Sequence, residues 1–137
     1  MATAINQSLA LTFPAMSQGV RAGNLLFLAG QVALDEQGNL IGEGDPRRQA
    51  QQIFANIEAL AGLAGGSIRD VVRLTCYLSD RSVYPVYAQV KASVFSPDVR
   101  TPPAGTAVVV TELLDSRFLL EVEATLVLST NSAEVPA

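Results

Sequence analysis

The stretch Thr101-Pro102-Pro103-Ala104-Gly105-Thr106 leads into a run of apolar residues, and Leu120-Glu121-Val122-Glu123-Ala124 follows further along the chain. The apolar and β-branched content predicts two strands, residues 106–111 and 118–128, around a turn at Asp115-Ser116. The prolines of the segment 96–105 remove backbone donors and predict a loop before the first of these strands. The rest of the chain must supply the partners of these two strands.

An earlier hairpin and a long helix are predicted from turn and capping residues. Residues 20–32 contain turn chemistry at Arg21-Ala22-Gly23-Asn24, followed by a short apolar run of strand length. Asp45 followed by Pro46 marks a helix start, because aspartate caps free amides and proline suits the first helical position. This helix should run to about Ala64, where Gly65-Gly66 ends it.

A third strand and a second helix complete the pattern. Residues 71–78 are rich in β-branched and aromatic side chains and predict a strand. Ser82 is the expected cap of a helix from Val83 to about Phe95. The order β-β-α-β-α-β-β therefore predicts an α+β domain with a mixed sheet whose two helices cover one face. Both alternating sets of residues 71–79 and 119–128 contain apolar side chains, so we expect the other face to be buried in a homo-oligomer.

The composition is that of a single small domain. The chain has 137 residues, of which 49% are hydrophobic and 16% charged. Its length fits one core, so we assign residues 1–128 to one domain and expect residues 129–137 to form a flexible tail.

Charge and hydropathy limit the partners. The net charge of -4 and the isoelectric point near 4.6, with scattered basic residues, argue against a nucleic-acid partner. No stretch approaches the length of a membrane span, and residues 1–12 lack the pattern of a signal peptide. We therefore expect a cytoplasmic protein without a membrane partner.

The chain has no histidine and one cysteine, Cys76. This excludes an intrachain disulfide, a serine–histidine triad and an ordinary zinc site, and we expect no metal site. Cys76 is expected to be a buried small hydrophobe. Acid–base chemistry must then rest on carboxylates, tyrosines, the lysine, the cysteine or water.

Four segments together resemble the Rid (reactive intermediate deaminase, YjgF-type) family of enamine and imine deaminases. They are Met16-Ser17-Gln18-Gly19-Val20, Ala29-Gly30-Gln31, Pro103-Ala104-Gly105-Thr106 and Glu121-Val122-Glu123-Ala124. The resemblance covers about residues 14–127. It implies a chorismate-mutase-like fold and a homotrimer whose clefts between subunits bind a small-molecule ligand or substrate without a cofactor.

The resemblance also implies the site residues. Glu121 matches the family glutamate that orients water and transfers protons, whereas Glu123 is expected to be structural. The expected substrate-binding positions are Gly30, Gln31, Met16, Tyr87, Gly105, Thr106 and Ala107. Judged from the residues alone, the two glutamates could equally form a solvated end of the sheet, and Gly30 could be a plain β-bulge.

Gly105 departs from the family pattern, in which an arginine at this position holds the substrate carboxylate. Losing such a charge-assisted contact costs roughly 1.5 to 3 kcal/mol. We therefore expect a subgroup with altered specificity, whose substrate lacks the usual carboxylate. Arg100 or Arg73 could supply a substitute cation, although each is expected to be a surface charge.

Two functions of different classes remain open. The first is hydrolysis of a small enamine or imine, and the alternative is a non-catalytic protein that binds a metabolite in the same cleft. Some members of the family are described as endoribonucleases or translation inhibitors, which the acidic chain and its lack of histidine argue against here.

Overall fold

The structure, a computed structural model, describes residues 1–7, 13–95 and 101–129. It confirms a single α+β domain in which two α-helices accompany a six-stranded mixed sheet. The elements are β1 (Ala2–Ile5), β2 (Gly19–Ala22), β3 (Leu25–Gln31), α1 (Pro46–Leu63), β4 (Val71–Leu78), α2 (Tyr84–Phe95), β5 (Ala104–Val109) and β6 (Leu120–Val127).

The strand order in the sheet is β1-β2-β3-β6-β4-β5. All neighbouring strands are antiparallel except β4 and β5, which are parallel. A parallel pair needs a crossover connection, and α2 lies in the segment that joins β4 to β5. The last strand of the sequence, β6, lies between β3 and β4, so that Glu121 is placed near the middle of the sheet.

The first helix begins as predicted, but the start of the second differs. The carboxylate of Asp45 accepts hydrogen bonds from the backbone N–H groups of Arg47 and Arg48, both at 3.1 Å. Before α2, however, a single 3₁₀ turn spans Arg81–Val83, and its cap is Asp80. The predicted cap at Ser82 is therefore wrong, because the Ser82 N–H instead donates to Asp80 at 2.8 Å.

Two strand predictions also need correction. β1 was not predicted, because this strand has only four residues and most of them are exposed. It is ordered by its pairing with β2. β5 begins at Ala104 rather than Thr106, and Gly105 therefore lies in a strand and not in the preceding loop. The predicted flexible tail lies almost wholly outside the described residues.

The core occupies only the helix side of the sheet. Alternate residues of the central strands are buried there against α1 and α2: Leu26, Leu28, Leu74, Cys76, Leu78, Leu120, Val122, Ala124 and Leu126. The side chains between them face away from the helices. On this open face lie Glu121 and Glu123 together with the exposed apolar residues Phe27, Val108 and Val127. The two faces of the sheet are thus unlike, with the apolar burial concentrated on one.

A completely buried glutamine, Gln49, joins α1 to the loop that precedes it and to the segment that precedes β6. The amide nitrogen of Gln49 donates to the carbonyl oxygens of Gly42 at 3.1 Å and Arg117 at 3.0 Å. Its amide oxygen accepts from the Leu119 N–H at 2.9 Å. Because Leu119 directly precedes β6, this side chain fixes the point at which the strand carrying Glu121 begins.

No helix within the described ranges is long and apolar enough to cross a membrane.

Replacing Gln49 by leucine should lower the free energy of unfolding by about 3 kcal/mol, because the Arg117 carbonyl and the Leu119 N–H lose their partner and the Gly42 carbonyl keeps only the Asp45 N–H. Urea denaturation of the two proteins measures this. Gln51→Leu, at an exposed position of the same helix, is the matched control and should change stability little. Equal effects of the two substitutions would show that the buried hydrogen bonds contribute nothing specific.

Candidate functional site

Glu121 lies against Gly30 on the open face of the sheet. β3 has a register shift relative to β6 between Leu28 and Gln31, and Gly30 falls within it. A Cβ atom added to Gly30 would lie 2.0 Å from Oε2 of Glu121. Only glycine leaves room for the carboxylate here, which gives the β-bulge at Gly30 a specific purpose.

The Glu121 carboxylate is half-buried and has no hydrogen-bond donor among the described residues. Desolvation, and secondly the charge of Glu123, raise the pKa of Glu121 above its ordinary value. Glu123 differs, because its carboxylate accepts a hydrogen bond from the hydroxyl of Tyr77. Of the two predicted acidic residues, Glu121 is therefore the one whose carboxylate has no hydrogen-bond donor within the described ranges.

A cavity of about 350 Å³ opens beside Glu121. Its polar lining consists of Glu112, Glu121, Glu123 and Tyr77, and its other lining residues are Gly30, Val110, Leu113 and Leu114. Tyr77 and Glu112 were not predicted from the sequence. Tyr77 is paired directly with Glu121 across β4 and β6, but this register could not be read before the strand order was known.

Met16, Gly30 and Gln31 come together at a separate, smaller cavity of about 50 Å³, which Gln18 and Asn56 also line. The amide nitrogen of Gln31 donates to the carbonyl oxygen of Ala29 at 2.9 Å. This space is enough for one or two waters, by the roughly 30 Å³ that a water occupies in the liquid. Gly30 lines both cavities, so it connects the cavity of Met16 and Gln31 with the cavity of Glu121.

The predicted residues of β5 do not join this group within one chain. Gly105 pairs with Leu74, whose side chain faces the helices, whereas Glu121 pairs with Tyr77 on the open face. Ala107 shares the side of Gly105, and Thr106 faces the open side. Gly105 and Glu121 are therefore on opposite faces of the sheet, and a single cleft containing both needs two copies of the chain.

Tyr87 and Cys76 lie in the core. Tyr87 is 2% exposed, and its ring stacks on Phe54 with centroids 6.0 Å apart. This placement favours a core role for Tyr87 over the predicted contact with substrate. Burial raises the pKa of Cys76 to about 12, so that its thiol stays protonated at neutral pH and is a poor nucleophile.

Neither Arg73 nor Arg100, the two arginines considered as substitute cations, is placed beside Gly105 by the described residues. Arg73 is exposed, and its guanidinium donates to the hydroxyl of Thr106 at 3.5 Å on the open face, away from the helix side on which Gly105 faces. Arg100 lies outside the described residues. The cation that the structure places beside Gly105 is Lys91, which the sequence reasoning missed: a Cβ added to Gly105 would lie 3.5 Å from its Nζ.

Among the residues that the structure describes, no group of three or more cysteine, aspartate and glutamate side chains is arranged to hold a metal ion.

The chain is similar to known proteins over most of its length. The family model described as endoribonuclease L-PSP matches residues 8–128. A RutC family protein of Pyrococcus horikoshii is 38% identical over 108 residues, which are 79% of this chain and 82% of the relative. A 2-iminobutanoate/2-iminopropanoate deaminase of Dermatophagoides farinae is 31% identical over 97 residues, covering 71% of this chain and 73% of that protein.

Solved structures show the same fold. The crystal structure of RidA from an Antarctic Psychrobacter species superposes with a TM-score of 0.81 at 34% identity and covers 92% of this chain and 99% of the other. The match of the family model extends over nearly the whole described domain, including the strands that carry Gly30, Gly105 and Glu121. The chain therefore belongs to the endoribonuclease L-PSP family, the YjgF, RutC and Rid proteins.

Proposed function

We propose that the protein hydrolyses a small enamine or imine at a cleft between subunits of a homotrimer, without a cofactor. The observation that carries this proposal is the Glu121 carboxylate, which is half-buried, lacks a donor among the described residues and lines a cavity of about 350 Å³. The relative from Dermatophagoides farinae, a 2-iminobutanoate/2-iminopropanoate deaminase by name, supports the reaction class.

Glu121 would act as both acid and base in this reaction. A raised pKa favours the protonated carboxyl, which can protonate the carbon of an enamine and give the iminium ion. The carboxylate then takes a proton from water as the oxygen bonds to the iminium carbon, and it returns that proton to the nitrogen. As the C–N bond breaks, the carboxylate takes the proton of the new hydroxyl group, so that ammonia and a carbonyl compound leave and the carboxyl is regenerated.

Assembly would complete the site. The helices cover one face of the sheet, while Phe27, Val108 and Val127 remain exposed on the other, and every residue of the edge strand β5 is exposed in the isolated chain. Packing of copies along these surfaces would bury apolar area and bring Gly105 of one subunit to Glu121 of the next. A trimer with this arrangement explains why one chain holds the two residues on opposite faces.

The specificity should differ from that of relatives with an arginine at the position of Gly105. Gly105 offers no guanidinium to a substrate, and its backbone is in an ordinary strand rather than at positive φ. We therefore assign the protein to a subgroup that lacks this arginine and accepts a different range of imines.

Glu121→Gln should lower turnover about 100-fold or more, because it keeps the shape of the side chain and removes its acid–base function. Ammonia release is measured with enzymatically generated 2-iminobutanoate and 2-iminopropanoate and with imines that lack a carboxylate. Glu123→Gln is the control, and its effect should be much smaller. Sedimentation equilibrium should give a trimer for all three proteins.

Full turnover by Glu121→Gln would overturn the catalytic role. Saturable ligand binding by the natural protein without any ammonia release would favour the alternative function, a metabolite-binding protein.

Stability against pH offers a test that needs no substrate. Because the folded-state pKa of Glu121 is raised, its contribution to stability is full below the unfolded pKa of about 4.3 and is lost as pH rises through the folded pKa. Glu121→Gln should thus equal the natural protein near pH 3.5 and become the more stable of the two at neutral pH. Thermal unfolding across this range measures the difference. A constant difference at every pH would contradict the desolvated carboxylate.

Gly105→Arg should raise kcat/KM for 2-iminopropanoate by roughly 10-fold or more, the equivalent of one charge-assisted contact. The backbone tolerates a side chain here, since an added Cβ would meet only Lys91 Nζ at 3.5 Å and the Leu74 carbonyl oxygen at 3.9 Å. Gly105→Gln, of similar length without the charge, separates the effect of the cation from that of bulk. Equal rates for the arginine and glutamine variants would contradict the role assigned to this position.

A further inference from the structure

Lys91 is the only lysine of the chain, and it occupies an unusual position on α2. The residue is half-buried, and its Nζ lies 5.5 Å from the centre of the Tyr87 ring. Within the part of the chain that the structure describes, no carboxylate forms an ion pair with it. Within the described ranges the charge of Lys91 is thus not neutralised by a carboxylate.

The ammonium group of Lys91 lies over an empty strand position. Gly105 has no side chain, and its added Cβ would lie 3.5 Å from Nζ, an ordinary van der Waals distance. A neutral side chain at residue 105 would occupy the space in front of the ammonium, whereas an arginine there would bring a second cation into the same space. Glycine at this place on the exposed edge strand therefore leaves the cation accessible from the β5 side.

A cavity of about 270 Å³ adjoins the same ammonium. Among the described residues, the lining besides Lys91 consists of Ala92, Phe95, Pro102 and Pro103, whose side chains are all apolar. This described lining, a cation and apolar walls, fits a small ligand with one anionic end and a short aliphatic body. An ammonium has three donors, which suit a single carboxylate.

We infer that Lys91 binds the carboxylate of a small aliphatic ligand in the space above Gly105. The charge of the whole chain is -4, but the carboxylates of the larger cavity lie on the opposite face of the sheet and leave this cation free. Arg73 does not compete for the role, because it faces the open side and donates to Thr106.

This inference rests on the proposed function in one respect: it identifies the ligand with the substrate of that reaction. It replaces the sequence-based expectation that the substrate lacks a carboxylate. The carboxylate would be held by an ammonium from the helix rather than by a guanidinium from the strand. An ammonium binds a carboxylate in more orientations than a guanidinium does, because the planar guanidinium makes two parallel hydrogen bonds.

The single lysine makes a direct test possible. With [¹³C]lysine and ¹⁵N labelling, the natural protein has one lysine Cε signal, and the backbone amide of Gly105 reports on the same space. Titration with propanoate should shift both signals saturably. The neutral isostere propanamide should shift neither, because it offers no charge to the ammonium.

Three variants locate the binding. Lys91→Met keeps the apolar stem over Tyr87. It should raise the Kd for propanoate, measured from the shift of the Gly105 amide, by about 10-fold or more, as expected for the loss of one charge-assisted contact. Lys91→Arg keeps the charge and should bind propanoate within a few-fold of the natural protein. Arg73→Met removes the same charge from the opposite face of the sheet and should leave binding unchanged.

Unshifted signals in the natural protein would overturn the inference. So would a Lys91→Met variant that binds propanoate as tightly as the natural protein, or an Arg73→Met variant that loses as much affinity as Lys91→Met. Turnover then separates the two proposals. If propanoate binds at Lys91 but Glu121→Gln keeps full activity, the anion site stands and the proposed reaction fails. If Glu121→Gln is inactive while Lys91→Met has an unchanged KM, the reaction stands and the anion site fails.

Discussion

The two helices cover only one face of a six-stranded sheet, and the rest of the molecule depends on this constraint. Leucine, valine and alanine side chains of the central strands fill the helix side, so the alternate residues of the same strands must point the other way. That open face has apolar residues such as Phe27 and Val127 beside the carboxylates of Glu121 and Glu123. A surface of this composition suits partial burial against another subunit, with the acidic residues left at the edge of the contact.

The close approach of Glu121 to Gly30 shows how the fold tolerates a carboxylate in such a place. Burying an ionised carboxyl without donors is unfavourable, and the raised pKa of Glu121 is the expression of that cost. Glu123, two residues along the same strand, is stabilised instead by the hydroxyl of Tyr77. The bulge in β3 and the glycine within it admit the first carboxylate, while Gln49 fixes the start of its strand. The ionised Glu121 thus lowers the free energy of unfolding, and the proposed reaction uses the protonation of this same residue.

Local signals in the sequence predicted those parts of the fold that local interactions determine. Asp45 and Pro46 mark the start of α1, since the cap and the fixed φ angle act within one turn. β1 could not be predicted, because its short exposed sequence becomes a strand only by pairing with β2. The placement of Tyr77 opposite Glu121 likewise depends on register, which residues far apart in the chain decide together.

The candidate site was predictable only in part for a related reason. A motif identifies residues such as Gly105 and Glu121 but gives no information on which face of the sheet each one occupies. Lys91 could not be connected with Gly105 before α2 was placed beside β5, although the presence of one lysine in an acidic chain was visible from the start. The helix side then holds the cation and the open side holds the acid, and one sheet separates them. If both act on one ligand, the subunit that binds its carboxylate differs from the subunit that exchanges its protons, and assembly becomes a requirement of the chemistry.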